Sequence, residues 1–350
     1  MGLRIAVVGT GFGARVQIPG LRAAGGEIVA VVSGREANAR RVAEAEGIGR
    51  WYTDFERLLA DGGLDAVCIS GPPDTHHPMT VAAARAGLHL LVEKPTAMNA
   101  AEAEEMLAAA EEAGVVHALD FEFRYEGHRA RLKELIEEGA LGQVLHAQVA
   151  TRAALFVPGS GRHWNWLSDA GRGGGVLGAI GSHHIDALLW YLGPAQEVFA
   201  QLQTFVPTRA DESGDQREVT ADDAFTMQLH FSSGARGLID VSAVTPGGEG
   251  TRVEVVGSVA AATIGAGGVL RLARAGSGAP EAVGIPERLR PPRVAGVPPS
   301  YSAFNALAQR FTAAIRGGPP MSPDLRDGLA VQKVMDAARQ SSAERRMIGL

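Results

Sequence analysis

Cysteine and lysine are the two residue types this 350-residue chain nearly does without. Its one cysteine, Cys68, cannot form an internal disulfide or supply a cysteine metal cluster, which fits a reducing compartment. Lysine occurs only at positions 94, 133 and 333 among 33 basic residues, so arginine supplies nearly every plain surface charge. Aromatic residues make up 5% of the chain, and no stretch approaches the roughly 20 apolar residues a membrane helix needs. The start MGLRIAVVGTGFG has no basic segment followed by a long apolar core, and the expected location is the cytoplasm. The net charge of -6 comes with no basic run interleaved with aromatics, so a small molecule is expected as partner and nucleic acid is not.

What the chain does have is apolar residues, 46% of the total, at a length that exceeds the usual single core. Two domains are expected, residues 1–121 and 122–350. In the first, short β-branched runs (RIAVVG, EIVAVVS, LDAVCIS, LHLLVE and VVHALD) alternate with helical patterns (DFERLLADGG, HHPMTVAAARAG and NAAEAEEMLAAAEEAG). Asn99 and Glu102 are spaced as a capping box for the last of these helices. Strands apolar on both faces and separated by helices predict an α/β, doubly wound parallel sheet. Beyond residue 121 the period changes to two. Phe225, Met227, Leu229 and Phe231 alternate with Thr226, Gln228 and His230, and Ser233-Gly234 and Gly257-Ser258 break the runs. That pattern predicts antiparallel hairpins with one face covered. Residues 276–300, rich in Gly, Pro and Arg, read as a loop, followed by helices over 301–316 and 324–345.

Gly9, Gly11 and Ala14 form G-x-G-x-x-A directly after the first strand and at the opening of a helix. Gly9 suits a tight turn, Gly11 lets backbone approach a pyrophosphate, and Ala14 allows close helix-to-strand packing. With Phe12 between them, these residues predict a dinucleotide site. An NAD site normally carries Asp or Glu at the tip of the second strand. Here Ser33, Gly34 and Arg35 stand there, and a hydroxyl with a guanidinium favours the 2′-phosphate of NADP, NAD remaining possible. The run LHLLVEKP brings Glu93 and Lys94 to the same carboxyl edge. There Lys94 could take the proton of a substrate hydroxyl as hydride leaves its carbon. Lys133 and Lys333, by contrast, lie off the apolar stripes of their helices and read as surface.

The set GTGFGA, GPPDTHHPMTVAAARAG, EKP, DFEFRY and GGGVLGAIGSHHIDALLWYLG resembles the Gfo/Idh/MocA family, which includes glucose-fructose oxidoreductase and inositol dehydrogenase. The resemblance covers nearly the whole chain. It implies a Rossmann domain followed by an α/β domain with an open, mostly antiparallel sheet, and NAD(P)-dependent oxidation or reduction of sugars, cyclitols or related compounds. It also implies pairing of subunits through that sheet, as a dimer or tetramer. Lys94 corresponds to the family's catalytic lysine, often with a cis peptide before the proline, here Pro95. Pro72, Pro73 and His76 correspond to a segment beside the cofactor.

On the substrate side, members resemble G-G-x-x-x-D-x-G-x-H-x-x-D. His183 and Asp186 match its His and final Asp, whereas Ala179 replaces its first Asp, leaving His184, Asp169 or the substrate to balance charge around Lys94. His183 has the chemistry of an acid or base near neutral pH. It also shares a helix face with Ala187, Trp190 and Tyr191, as a core histidine would. Trp164, in the loop GRHWNWLSDAGRGGG, could stack on a polyol or anchor the loop, and Arg124 could reach substrate or brace the domain junction. The pairs His76-His77 and His183-His184 point to different helix faces, and no metal is expected. Two other functions remain open: redox-assisted glycoside cleavage without net cofactor turnover, and a non-catalytic dinucleotide sensor.

Overall fold

The computed structural model describes residues 2–276 and 278–350. The chain divides into two compact units, Met1–Glu126 with Pro291–Leu329, and Gly127–Arg290 with Ala330–Leu350.

The first unit holds six parallel strands: β1 (Leu3–Val8), β2 (Gly26–Val32), β3 (Arg50–Tyr52), β4 (Ala66–Ile69), β5 (His89–Val92) and β6 (His117–Leu119). Their order in the sheet is β3-β2-β1-β4-β5-β6, so strand order reverses between β1 and β4. Ile5, Val7, Val31, Ala66, Cys68 and Leu91 are buried because helices cover both faces. The run LHLLVE is thus the fifth strand. Strand β3 has only three residues, Arg50, Trp51 and Tyr52, and no apolar run announces it. The helix Ala100–Glu112 opens on the expected box: Asn99 Oδ1 accepts from the Glu102 amide at 2.9 Å, and Glu102 Oε2 accepts from the Met98 amide at 3.0 Å.

A single boundary at residue 121 does not describe this unit, because the chain returns to it at Pro291. The helix Ser302–Ile315 lays Phe304, Leu307, Ala308 and Phe311 into the same core as Ile18, Leu21 and Ile28. Gly20 makes room for it: a Cβ there would stand 2.8 Å from the Phe304 ring. Amphipathic periodicity reveals such a helix but not which sheet its apolar stripe covers.

The second unit is built on a nine-stranded sheet, antiparallel except where Val144–Arg152 pairs in parallel with Arg236–Ser242. Ala224–Phe231 and Arg236–Ser242 form the hairpin expected around Ser233-Gly234, and Gly250–Gly257 with Ala260–Ile264 the one around Gly257-Ser258. Phe225, Met227, Leu229 and Phe231 all face inward, under the helix Ser182–Leu192. The opposite face carries a hollow of about 270 Å³ lined by His146, Gln148, Gln228, His230, Arg236 and Leu238. Of the expected loop 276–300, Ser277 lies outside the described residues, and the rest holds only the two-residue strand Glu281–Ala282 and single helical turns at Glu287–Leu289 and Pro299–Tyr301. No described helix is long and apolar enough to cross a membrane.

Phe304 is fully buried, so Phe304→Ala should destabilise the first unit by about 3–5 kcal/mol in urea denaturation. A loss below about 1 kcal/mol would show that the returning helix is not part of that core.

Candidate active site

The carboxyl edge of the six-stranded sheet gathers the glycine loop, Ser33, Ser70 and the Glu93-Lys94 pair. Gly9 leaves β1 at φ +108°, and its amide donates to the Val32 carbonyl at 2.9 Å, tying the loop to the tip of β2. A Cβ on Gly9 would stand 2.5 Å from the Ser70 carbonyl oxygen, and one on Gly13 would stand 2.9 Å from Ser70 Oγ. Ser70, at the tip of β4, is therefore the floor of the loop. Its hydroxyl donates to the Val8 carbonyl at 2.8 Å. A Cβ on Gly11, in contrast, would meet nothing within 4 Å. Open space on that side, beside the start of the following helix, is the cradle a pyrophosphate requires, so the residues present fit a dinucleotide. The helix itself starts in a widened turn, Gly13–Gln17, before tightening at Ile18.

Phe12 packs its ring edge-on to Tyr301 at 5.4 Å and to Phe304 at 6.4 Å. At the tip of β2, Ser33 Oγ accepts from the Arg35 amide at 3.3 Å, and the Arg35 side chain is exposed. Arg40 and Arg41 are exposed one to two turns on, and Arg40 pairs with Glu44 at 2.9 Å.

His76 is fully buried, with Nδ1 2.9 Å from the Pro95 carbonyl and Nε2 2.9 Å from the Gly71 carbonyl. It braces the loops after β4 and β5 against each other from beneath. Burial lowers its pKa, against the pull of those two carbonyls. His77 diverges to meet Glu105 at the surface. The Lys94-Pro95 peptide is cis, as the resemblance implied. Glu93 and Lys94 are half-buried, and Glu93 Oε2 accepts from the Lys94 amide at 3.1 Å.

Beneath them lies a buried polar network that the sequence reading passed over. Gln17 Nε2 donates to Glu93 Oε1 and to Asp120 Oδ2, both at 3.2 Å, while Gln17 Oε1 accepts from Cys68 Sγ at 3.1 Å. Burial first, then the charges of Glu93 and Glu122, raises the Asp120 carboxyl well above its ordinary range. Burial and the charge of Glu93 push Glu122 up to about 8, against the opposing pull of Lys94. Cys68 is likewise raised well above the usual thiol range by burial, so its thiol keeps its proton to donate. Two signals were legible: Gln17 is polar between the apolar Val16 and Ile18, and Asp120 closes the apolar run VVHALD as Lys94 closes LHLLVEK.

Arg124 is 8% exposed, and its guanidinium donates to Asp327 Oδ1 at 2.9 Å and Ser322 Oγ at 3.2 Å. It braces the returning segment of its own unit.

In the second unit, the widened turn Leu177–Gly181, holding Ala179, leads into Ser182–Leu192. His183, His184 and Asp186 on that helix are all buried. His184 Nε2 lies 2.8 Å from Thr151 Oγ1, which in turn lies 2.9 Å from Thr251 Oγ1, so this imidazole serves the sheet beneath it. Asp169 Oδ1 caps the next turn by accepting from the Gly171 amide at 2.9 Å. Trp164 Nε1 donates to the Glu218 carbonyl at 2.8 Å and Arg217 stacks on its ring at 5.5 Å, which anchors the loop while leaving the indole half-exposed.

Residues 3–121 match the oxidoreductase family with an NAD-binding Rossmann fold, and residues 130–263 match the GFO/IDH/MocA C-terminal domain. The chain is 30% identical over 362 residues to an uncharacterized oxidoreductase of Synechocystis sp., covering 99% of this chain and 96% of that protein. It is 28% identical over 258 residues, 73% of each chain, to myo-inositol 2-dehydrogenase of Thermotoga maritima. A levoglucosan dehydrogenase solved in complex with NADH and L-sorbose shares the fold, with a TM-score of 0.89 at 23% identity over 99% of this chain and 98% of that one. A matched Rossmann domain, a matched C-terminal domain and a relative alike along its whole length make this chain a member of the GFO/IDH/MocA family of oxidoreductases.

Proposed function

We propose that the protein is a nicotinamide-dependent dehydrogenase or reductase of a sugar, cyclitol or sugar-derived hydroxyl or ketone, with NADP preferred over NAD. The observation that carries this reading is Lys94, half-buried at the tip of β5 on the same edge as the open cradle at Gly11. Gly9, Gly11 and Ala14 would hold the pyrophosphate, Ser33 and Arg35 the adenosine ribose with its 2′-phosphate, and Pro72 with Glu93 the nicotinamide end. His76 would support that end from below. When bound, the nicotinamide ring supplies a hydride acceptor or donor. The chain's own part is the proton: Lys94 Nζ takes it from the hydroxyl in oxidation and returns it to the carbonyl oxygen in reduction. Relatives named myo-inositol 2-dehydrogenase, levoglucosan dehydrogenase and 1,5-anhydro-D-fructose reductase support the substrate class. For the second unit we assign substrate recognition, with His183, Asp186 and Trp164 as its polar and aromatic groups, and self-association through the uncovered sheet face.

Three outcomes are expected. Lys94→Met, tried on D-glucose, D-xylose and myo-inositol, should bind cofactor but lose roughly 10²- to 10⁴-fold in turnover, and a wild-type rate would refute the lysine's role. NADPH should bind several-fold more tightly than NADH by nicotinamide fluorescence, with Arg35→Ala narrowing the gap, since a charge-assisted hydrogen bond contributes about 1.5–3 kcal/mol. Equal affinities in the wild type would overturn the NADP preference. Light scattering at micromolar concentration should give a multiple of 36.5 kDa, and the mass of one chain would contradict self-association.

A further inference from the structure

The buried network beneath Lys94 holds a glutamine, Gln17, that the proton chemistry assigned to the lysine leaves without a role. Its surroundings follow from the sheet. β4, β5 and β6 pair in parallel with Cys68 opposite Leu91 and Leu91 opposite Ala118. Side chains alternate between faces along a strand, so Glu93 and Asp120, two residues after Leu91 and Ala118, lie on the same face as Cys68. The Glu93 amide continues the pairing by donating to the Ile69 carbonyl at 2.8 Å, and the Asp120 amide donates to the Val92 carbonyl at 2.8 Å. Gln17 closes the widened turn Gly13–Gln17, whose neighbours Val16 and Ile18 pack on that face, and it is 0% exposed.

Three neighbours surround its amide, and each makes a hydrogen bond to it. Nε2 donates to Glu93 Oε1 and to Asp120 Oδ2, each at 3.2 Å, and Oε1 accepts from Cys68 Sγ at 3.1 Å. The thiol decides which way round the amide lies. A carboxyl group accepts when ionised and can donate when protonated, and burial makes Asp120 hold its proton more tightly, so the acids by themselves suit either end of the amide. A thiol has a proton to give and is a weak acceptor, so Oε1 faces sulfur and Nε2 faces the acids. Glu93 is then held by both oxygens, Oε1 by Gln17 and Oε2 by the Lys94 amide at 3.1 Å. The result is a continuous tie from the helix that opens at the glycine loop to the backbone of Lys94.

We infer that Gln17, its amide turned by Cys68, is a positioning residue that fixes the Glu93 carboxylate, and with it the backbone of Lys94, relative to the glycine loop. This rests on Lys94 being the group that handles the substrate proton. Gln17 is buried and acts through Glu93. Hydride and proton must leave or reach one carbon–oxygen bond together, so the group that carries the proton has to stand in register with the cofactor. A misplacement of about 1 Å can cost about 10²-fold in rate. The cradle at Gly11 and the lysine lie at the two ends of this tie, which makes the rate depend on it.

The test has two arms. The first needs no substrate. Cys68 is the chain's single cysteine, so one S–H stretching band in the infrared reports its hydrogen bond. The wild-type band should lie at lower frequency than that of Gln17→Leu, in which the thiol loses its acceptor. Equal frequencies in the two chains would show that sulfur does not donate to Gln17, and would overturn the proposal.

The second arm is oxidation by NADP⁺ or NAD⁺ of D-glucose, D-xylose or myo-inositol. Here kcat is counted per cofactor-binding chain, titrated by nicotinamide fluorescence, so that unfolded protein does not enter. Gln17→Leu should lose roughly tenfold to 10²-fold in kcat with substrate KM and cofactor affinity little changed, the sign of an interaction made in the transition state. Cys68→Val, of similar volume but without a donor, should lose kcat in the same direction, and Cys68→Ser, which restores a donor, should recover most of it. Glu93→Ala should lose at least as much as Gln17→Leu, and combining the two should cost nothing further, whereas a glutamine with only a packing role would add its loss in full. Should Gln17→Leu not fold, the Cys68→Val and Cys68→Ser pair decides, and equal kcat in both overturns the proposal. If Lys94→Met is inactive but Gln17→Leu keeps the wild-type kcat, or its loss adds in full to that of Glu93→Ala, Lys94 keeps its role and Gln17 loses the one proposed. If Lys94→Met turns over normally, the lysine reading itself fails, and the positioning role fails with it.

Discussion

Parallel backbone pairing of β1 with β2 on one side and β4 on the other is the constraint from which the site follows. It brings the ends of these three strands to one edge, so that the loop beginning at Gly9 can hydrogen-bond to Val32 and rest on Ser70. Because order reverses between β1 and β4, helices leave the two sides of that point on opposite faces, and the glycine loop sits in the gap. Ser70 leaves no room for side chains at Gly9 or Gly13. Gly11 is free of such a neighbour, and the difference between the two sides is what distinguishes a ligand cradle from a merely tight turn.

The same edge concentrates polar groups that a buried sheet would ordinarily reject. An isolated carboxylate or thiolate at these depths would carry a large desolvation cost. Burial correspondingly raises Cys68, Asp120 and Glu122 above their ordinary ranges, so that each holds its proton more tightly, and one amide, Gln17, bonds both Cys68 and Asp120. His76 solves a related problem between the β4 and β5 loops, where two carbonyl oxygens would otherwise face the interior without a donor. A neutral imidazole gives a proton to only one of them at a time, so its tautomer belongs to the bracing of this edge.

Residues from the far end of the first unit's sequence complete this arrangement. The helix Ser302–Ile315 closes the core over Leu21 and Gly20, Tyr301 meets both Phe12 and the Arg15 guanidinium, and Arg124 is held by Asp327. Phe12 and Arg124 both stood among the residues expected to touch a ligand. Their side chains also secure the return of the chain, and a position close to a functional motif is here a position close to the packing that supports it.

Much was written in the sequence because it depends on local pattern. Alternating β-branched runs and helices determined the parallel sheet, the period of two determined the hairpins of the second unit, and G-x-G-x-x-A after a strand determined a dinucleotide loop. Even the scarcity of lysine singled out Lys94. What only the tertiary structure decided was partnership between residues far apart in the chain: Gln17 with Glu93, Asp120 and Cys68, Gly20 with Phe304, and Arg124 with Asp327. The physical reason is that periodicity tells which side of an element is buried, whereas the identity of the neighbour is set by strand order and by where the chain re-enters the core. A lone glutamine on an apolar helix face carries no sign of the acids it will meet, and an aspartate at the end of an apolar run reads as solvent-facing until the neighbouring strand is known to close over it.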